Sequence, residues 1–466
     1  MLGAQLAQLL DAAPPGVDEA LELVTGFDDA LVHGFARLGE ERAAALTALA
    51  GAMGATPLGP VMGEAAGKVA AGSIADEHLT ALAAGRTALL GAVHDARLAR
   101  FDTAVGRTRA SWEEAPSTTA PERAEAGNLL AGSRSWLREL AITGWRGVDH
   151  DLVSASDQTL EALLAEPGLR RLAVLLDGLA AELRASCPVA TMERLPVRRW
   201  ADLWTRALLL SQPGGLSGGG CESVSGRLLI LGVDVHEHGT AVQAQVHGIL
   251  EPAGGGDPRL VRTSVAAAKV DTIVGPALWR LLQGHPVLLT ALAERRSLEV
   301  TDLPLLGGGD LVWQDDRAEA GEPADPFATA RIRLAGALAP PVPPLDRHPV
   351  RISEPVLLEG YSTDGHTVDL DGNTLAVDTG RLPACGPLTP ELVAASTACI
   401  GLVRWDGGRW TLQPLAVQAT VKRKAVEAHG GDWALGPTDP KVVKAEARSG
   451  DAVAVLRERA GRLLRK

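Results

Sequence analysis

The spacing of apolar residues changes once along this chain, and that change constrains the fold more than any other feature. Up to about residue 211 they recur every three or four positions. Val24, Phe27, Leu31, Phe35 and Leu38 form one such series, and Leu82, Leu89, Val93, Leu98, Phe101 and Val105 another. Each series makes one apolar stripe along a helix. Leu169, Leu172, Leu176, Leu179 and Leu183 alternate three- and four-residue steps. At about two heptads this seam is too short for a free-standing coiled coil and is expected to face its neighbours in a bundle. Ser73 can cap the helix running towards Val105, and Thr119 with Glu122 has capping-box spacing. A last helix starts near Pro196, whose missing N–H costs nothing in a first turn, and carries Trp200, Leu203, Trp204, Ala207 and Leu208 on one face.

Beyond the stretch QPGGLSGGGCESVSG (Gln212–Gly226) the period becomes two. Leu231, Val233 and Val235 alternate with Gly232, Asp234 and His236; after His238-Gly239, Val242, Ala244 and Val246 alternate with Gln243, Gln245 and His247. With His238-Gly239 as a two-residue turn, Val235 faces Val242, Val233 faces Ala244 and Leu231 faces Val246. Strands are also expected at Arg259–Ala267, Leu298–Leu303, Asp310–Gln314 and Ala328–Leu334, with short helices at Pro276–Leu282 and Pro286–Arg295. An acidic connector starts at Asp315 and a Pro-rich one at Ala339. Further strands, a hairpin from Ile400 to Val417 and a closing helix from Lys441 to Arg465 follow. The fold class is α+β: an all-helical N-terminal bundle, then a barrel- or sandwich-like β-rich region with short helices and a C-terminal helix. The expected division is a helical domain over 1–211, a Gly-rich linker over 212–226, a β-rich domain over 227–338, a Pro-rich linker over 339–349 and a β-rich subdomain over 350–466.

Composition narrows the function classes. A chain of 466 residues can bury two or three cores, and a net charge of -12 works against binding polyanions. The densest basic run is Lys422-Arg423-Lys424, expected as a solvated element end. Cys187, Cys221, Cys385 and Cys399 lie far apart without a C-x-x-C pair, so they read as reduced thiols of a cytoplasmic protein rather than a zinc site or disulfide framework. No export signal opens the sequence. Ala43–Gly63 has spanning length and no charge, but Pro57 and Pro60 would free backbone groups that lipid cannot satisfy. A bend between two helices is the expectation there.

Each candidate reactive group has a plainer structural role. Gly215-Leu216-Ser217-Gly218-Gly219 fits G-x-S-x-G, but that motif leaves a strand and enters a helix, whereas here a helix precedes and a strand follows. A flexible joint is the better account. A triad through Asp234 and His236 meets a second objection, since the i, i+2 relation on a strand sets them about 6 to 7 Å apart. His236-Glu237-His238 suggests a metal pair, yet His238 falls in the turn and His247, opposite Ile230, lies about 20 Å along the strand from His236. A solvated polar face is expected instead. Asp369-Leu370-Asp371-Gly372-Asn373 starts like a calcium loop but has Thr374 and Gly380 where glycine and an acid are needed, which leaves a hairpin turn. The glycine clusters at Gly214–Gly220 and Gly307–Gly309 open no helix and end in no G-K-[ST]. Trp405 and Trp410, flanking Asp406-Gly407-Gly408-Arg409, become cross-strand partners, a recognition platform if exposed and core if buried, and the hairpin itself favours the structural role. No catalytic, cofactor-binding or metal residue is assigned, and no cofactor is expected.

The succession of a helical half, LPVRRWADLWTRALLLSQPGG (Leu195–Gly215) and a hairpin-rich half ending in RWDGGRWTLQPLAVQA (Arg404–Ala419) resembles high-GC bacterial proteins of gene neighbourhoods with MoxR-type AAA ATPases, von Willebrand A domain proteins and SWIM zinc-finger proteins. The likeness covers about the last 270 residues and transfers no functional residue. The C-x-C and C-x-H ligands of a SWIM finger are missing. The resemblance implies an accessory protein of a chaperone-like ATPase system, with an AAA ATPase or von Willebrand A domain protein as partner; the charge and the two prolines speak against nucleic acid and membrane. The expectation is therefore a non-catalytic cytoplasmic scaffold or adaptor. The alternatives are a serine hydrolase using Ser217 and a membrane-associated component using 43–63.

Overall fold

The computed structural model describes residues 1–113, 124–214, 220–347, 352–406, 408–449 and 452–463. The fold is α+β: a helical N-terminal region precedes two β-sheets with short helices. Ten α-helices among the described residues precede the sheets: α1 (Gly3–Leu10), α2 (Val17–His33), α3 (Glu40–Ala52), α4 (Gly59–Ala70), α5 (Asp76–Val105), α6 (Ala124–Thr143), α7 (His150–Ser154), α8 (Asp157–Ala165), α9 (Arg170–Ser186) and α10 (Val197–Leu210). The seam on α9 is realised, with Leu172, Leu176, Leu179 and Leu183 all buried. Trp200, Trp204, Ala207 and Leu208 of α10 are buried too. Between Ala43 and Gly63 the chain leaves α3 at Ala52 and re-enters a helix at Gly59. No helix among the described residues is long and apolar enough to cross a membrane. Thr119 and Glu122, with their expected capping box, lie outside the described residues.

Two junctions in the helical region repeat one another. After α2, Gly34 has a positive φ of 82°, a short 3-10 turn buries Phe35, and α3 follows. After α6, Gly144 has φ 75°, a 3-10 turn buries Trp145, and α7 follows. The two glycines touch: a Cβ on Gly144 would sit 2.2 Å from the Gly34 nitrogen. Only glycine meets both demands, a left-handed φ and backbone-to-backbone approach. No fixed-period repeat is visible in the sequence, because the copies share little beyond Gly, an aromatic residue and one arginine.

The first sheet contains β1 (Cys221–Glu237), β2 (Ala241–Pro252), β3 (Arg259–Ala268), β4 (Arg296–Leu306), β5 (Asp310–Leu311) and β6 (Ala318–Pro323). Its pairings run β1–β2–β3–β5–β4 and return to β1, with β6 added to β4, so they close into a circuit. Helices α11 (Ala277–Leu281) and α12 (Pro286–Glu294) contribute to its core. The second sheet is ordered β7 (Ser353–Glu359), β11 (Ser396–Asp406), β12 (Arg409–Val421), β10 (Asn373–Val377), β9 (Thr367–Leu370) and β8 (Ser362–Thr363), with β13 (Lys424–His429) on β12. Helices α13 (Pro326–Arg333), α14 (Pro390–Ala394), α15 (Pro440–Ser449) and α16 (Ala452–Leu463) complete the chain.

Several expectations are corrected. Ala328–Leu334 is not a strand but most of α13, whose Asp325 side chain caps the Phe327 amide. The acidic connector after Asp315 contains β6, an exposed edge strand. The closing helix is described over two stretches, Pro440–Ser449 (α15) and Ala452–Leu463 (α16). The segment 212–226 is not linker throughout, since β1 already begins at Cys221. The 339–349 connector begins paired, the Ala339 amide donating to the Thr108 carbonyl and the Ala110 amide to the Ala339 carbonyl. Residues 1–211 are not one domain either. The compact units are Ala13–Arg97 with Ala115–Gly218, and Met1–Ala12 with Leu98–Glu114 and Gly219–Lys466. The physical reason is shared burial: Leu6, Leu9, Leu98, Phe101 and Ala104 lie in one core with Val356, Leu375, Trp405 and Trp410. Both sheets belong to the second of these units, joined by a cluster in which Leu229, Leu231 and Ile249 meet Ala398, Ile400 and Ala416.

Candidate functional site

The two sheets face each other across an interface with one apolar and one polar end, and a bulge in β1 creates the division. Before it, Leu228 and Ile230 point into the first sheet's own core; after it, Val233 and Val235 do. The parity changes because Leu231 is an extra residue between the paired Ile230 and Gly232. Leu229 and Leu231 therefore face the second sheet at the apolar end, where Phe327 and Leu334 cover them. Gly232 marks the transition: a Cβ there would lie 2.7 Å from the Leu415 Cβ, so a side chain would push the sheets apart.

Past Gly232 the residues facing the second sheet are polar. The expected register of the β1–β2 hairpin is off by two, because Gly239-Thr240 forms the tight turn closed by the His238 amide on the Ala241 carbonyl. Val235 therefore faces Ala244, Asp234 faces Gln245, His236 faces Gln243, and His247 faces Gly232 rather than Ile230. The expected solvated face holds for half-exposed His236 and for exposed Glu237 and His238, but not for Asp234 and His247. Asp234 is 3% exposed and His247 5%, because β11 and β12 cover them with Arg404, Thr411 and Gln413.

Asp234 is the hub. Its Oδ1 accepts from Gln413 Nε2 at 2.6 Å, and its Oδ2 lies 2.8 Å from His236 Nε2 and 3.6 Å from Arg404 Nη1. The expectation that strand spacing holds Asp234 and His236 out of reach is thus overturned: both side chains leave the same face and converge. Burial would raise the Asp234 carboxyl, but His236 and Gln413 outweigh it and hold it below its ordinary value. Arg404 Nη1 donates to Gln413 Oε1 at 3.0 Å and Ser353 Oγ at 3.3 Å. Burial and the neighbouring Arg381 guanidinium push Arg404 down. For His247, burial lowers the imidazole to about 4, against the pull of Asp234, so the ring is neutral at pH 7.

A carboxylate clasp flanks this cluster. Glu354 of β7 accepts from Arg107 Nη1 and pairs with Arg109 Nη2, both at 3.0 Å, while Arg109 forms a bidentate pair with Asp102. Burial opposes the Glu354 charge, but Arg109 and Arg107 hold its carboxyl below the usual value. Arg262 of β3 is bidentate to Asp310 of β5. These residues come from distant parts of the chain, and no motif announces them. The one sequence signal was the alternation placing Asp234, His236 and His247 on polar faces.

The remaining candidates fall elsewhere. Ser217 lies outside the described residues. His238 sits at the hairpin turn, and among the described residues no group of three or more His, Cys, Asp or Glu is placed to hold a metal ion. Asp371-Gly372 is a tight turn with both φ positive. Trp405 and Trp410 are directly paired, buried and edge-to-face with centroids 5.2 Å apart, which gives them the structural role expected. Lys422-Arg423 is the turn between β12 and β13. All four cysteines are free; burial pushes the Cys385 thiol up to about 12 and raises Cys399 as well. No family model matches the chain, and no curated protein or solved structure matches it.

Proposed function

We propose that this chain is a non-catalytic cytoplasmic scaffold or adaptor, and an accessory component of an AAA ATPase system. One observation supports the reading: in each unit a buried or half-buried arginine is bracketed by two carboxylates that join elements far apart in sequence. In one unit Arg86 is bracketed by Asp28 and Asp202. In the other, Arg109 joins Asp102 to Glu354, and Arg295 joins Glu427 to Asp432. Such networks fix elements of distant sequence in one arrangement, as a platform for a partner requires. The partner rests on the sequence resemblance alone: a MoxR-type ATPase, or the von Willebrand A domain protein accompanying it.

The test is reconstitution. The full chain is mixed with a MoxR-type ATPase, and separately with a von Willebrand A domain protein, from the same genome, and mass is read by light scattering after gel filtration. A defined complex with either is expected. Failure to associate with both, together with fluorophosphonate labelling that disappears in Ser217→Ala, replaces the scaffold with a hydrolase.

A further inference from the structure

Four polar atoms at the polar end of the inter-sheet interface are buried without an aligned hydrogen bond among the described residues: Asp234 Oδ2, His247 Nε2, Arg404 Nε and Thr411 Oγ1. Asp234 Oδ2 has His236 Nε2 at 2.8 Å and keeps a second lone pair open, whereas the other three atoms have no aligned partner. They belong to one neighbourhood. Arg404 and Thr411 are directly opposed on β11 and β12; Arg404 approaches Asp234; and His247 feels the charges of both. Buried polar atoms are nearly always satisfied, by protein or by an ordered molecule, so a cluster of four calls for an occupant.

The chemistry of the four atoms selects its class. Asp234 Oδ2 only accepts and Arg404 Nε only donates, whereas the Thr411 hydroxyl and the neutral His247 ring can be assigned either way. An anion held by Arg404 would face the Asp234 carboxylate. A cation held by Asp234 would face the Arg404 guanidinium. We propose that this end of the interface is a binding site for small neutral molecules that both donate and accept hydrogen bonds, and that its occupant is water held as an internal cluster, donating to Asp234 and accepting from Arg404. The cluster hydrates the interface between the sheets and is their polar counterpart to the apolar contacts of Leu229, Leu231, Ile400 and Ala416.

The full chain, deuterated and carrying labelled histidine, tests this by cross-relaxation between solvent and imidazole protons. A negative nuclear Overhauser effect between water and the His247 ring, the sign of a long-lived water, is expected, with exposed His238 as the fast-exchanging control. A His247 ring without any such effect overturns the proposal. Thr411→Val gives a second reading. If water bonds to this hydroxyl, the variant loses a partner and its thermal midpoint falls; if the hydroxyl is dry, removing it raises the midpoint, and the site is refuted.

Discussion

Each compact unit buries an arginine in a network of acids, and the two are built to opposite plans. Arg86 uses all its nitrogens: Nε reaches Asp28 Oδ1 at 2.6 Å, Nη2 reaches Asp28 Oδ2 at 3.1 Å, and Nη1 lies 2.8 Å from Asp202, with Arg198 completing Asp28 at 3.0 Å. Burial works against the guanidinium, but the flanking carboxylates raise its pKa above the ordinary value. Arg404 instead leaves Nε without a partner and stands 3.6 Å from its carboxylate, which Gln413 and His236 claim at closer range. The difference lies at the guanidinium: in the closed network every nitrogen of Arg86 meets a carboxylate, whereas in the open one Arg404 keeps hydrogen-bonding capacity in reserve at the end of the inter-sheet interface lined by Asp234 and His247.

The largest expected effect comes from cutting the chain at the glycine joint. The fragment 222–466 keeps Arg404 but loses Leu6, Leu9, Leu98, Phe101 and Ala104 from its core, and Arg107 and Arg109 from the Glu354 clasp. It is expected not to fold, read as the absence of a cooperative thermal transition; a cooperative transition would mean that the open network needs no support from the N-terminal segments. Next comes Arg86→Ala. It leaves Asp28 buried with only the partly exposed Arg198, and the loss of stability is expected at about 3–5 kcal/mol, measured by chemical denaturation of the full chain.

These two contrasts also show what the sequence could convey. The α9 seam and the Trp405–Trp410 pair were legible because a helical period and a Gly-Gly turn each specify their own geometry locally. The β1–β2 hairpin was legible as a hairpin but not in register, since neither the Gly239-Thr240 turn nor the bulge at Leu231 has a distinguishing residue. Ala328–Leu334 alternates like a strand, and the deciding signal was upstream in Asp325-Pro326, an N-cap followed by proline. The site was least legible. Period two says that Asp234 and His236 share a face, but what covers that face depends on Arg404 and Gln413, which only the tertiary fold brings there.

Smaller effects sharpen the comparison within the β-rich unit. Gly232→Ala places a methyl group against Leu415 at the boundary between the apolar and polar ends, and about 1–3 kcal/mol of destabilisation is expected from overpacking. No measurable loss would mean that the sheets are not tightly apposed there. Arg404→Gln is expected to cost the least, about 1 kcal/mol, because Asp234 keeps Gln413 and His236. A cost equal to that of Arg86→Ala would erase the distinction between a closed and an open network.

The account depends most on the polar face of β1 and β2 being covered by the second sheet, and the His247 imidazole reports that directly. An unfolded chain takes up a proton at histidine near the ordinary pKa of 6.5, whereas folded His247 resists until about 4. Stability contributed by this residue is therefore full above 6.5, falls as the pH drops from 6.5 towards 4, and changes no further below that. The decisive measurement is the titration of the His247 ring by nuclear magnetic resonance in the folded full chain, assigned by its loss in His247→Gln. A ring that stays neutral down to about pH 4 is the predicted result; titration near 6.5, as for a solvated strand face, would contradict the buried polar interface on which the site rests.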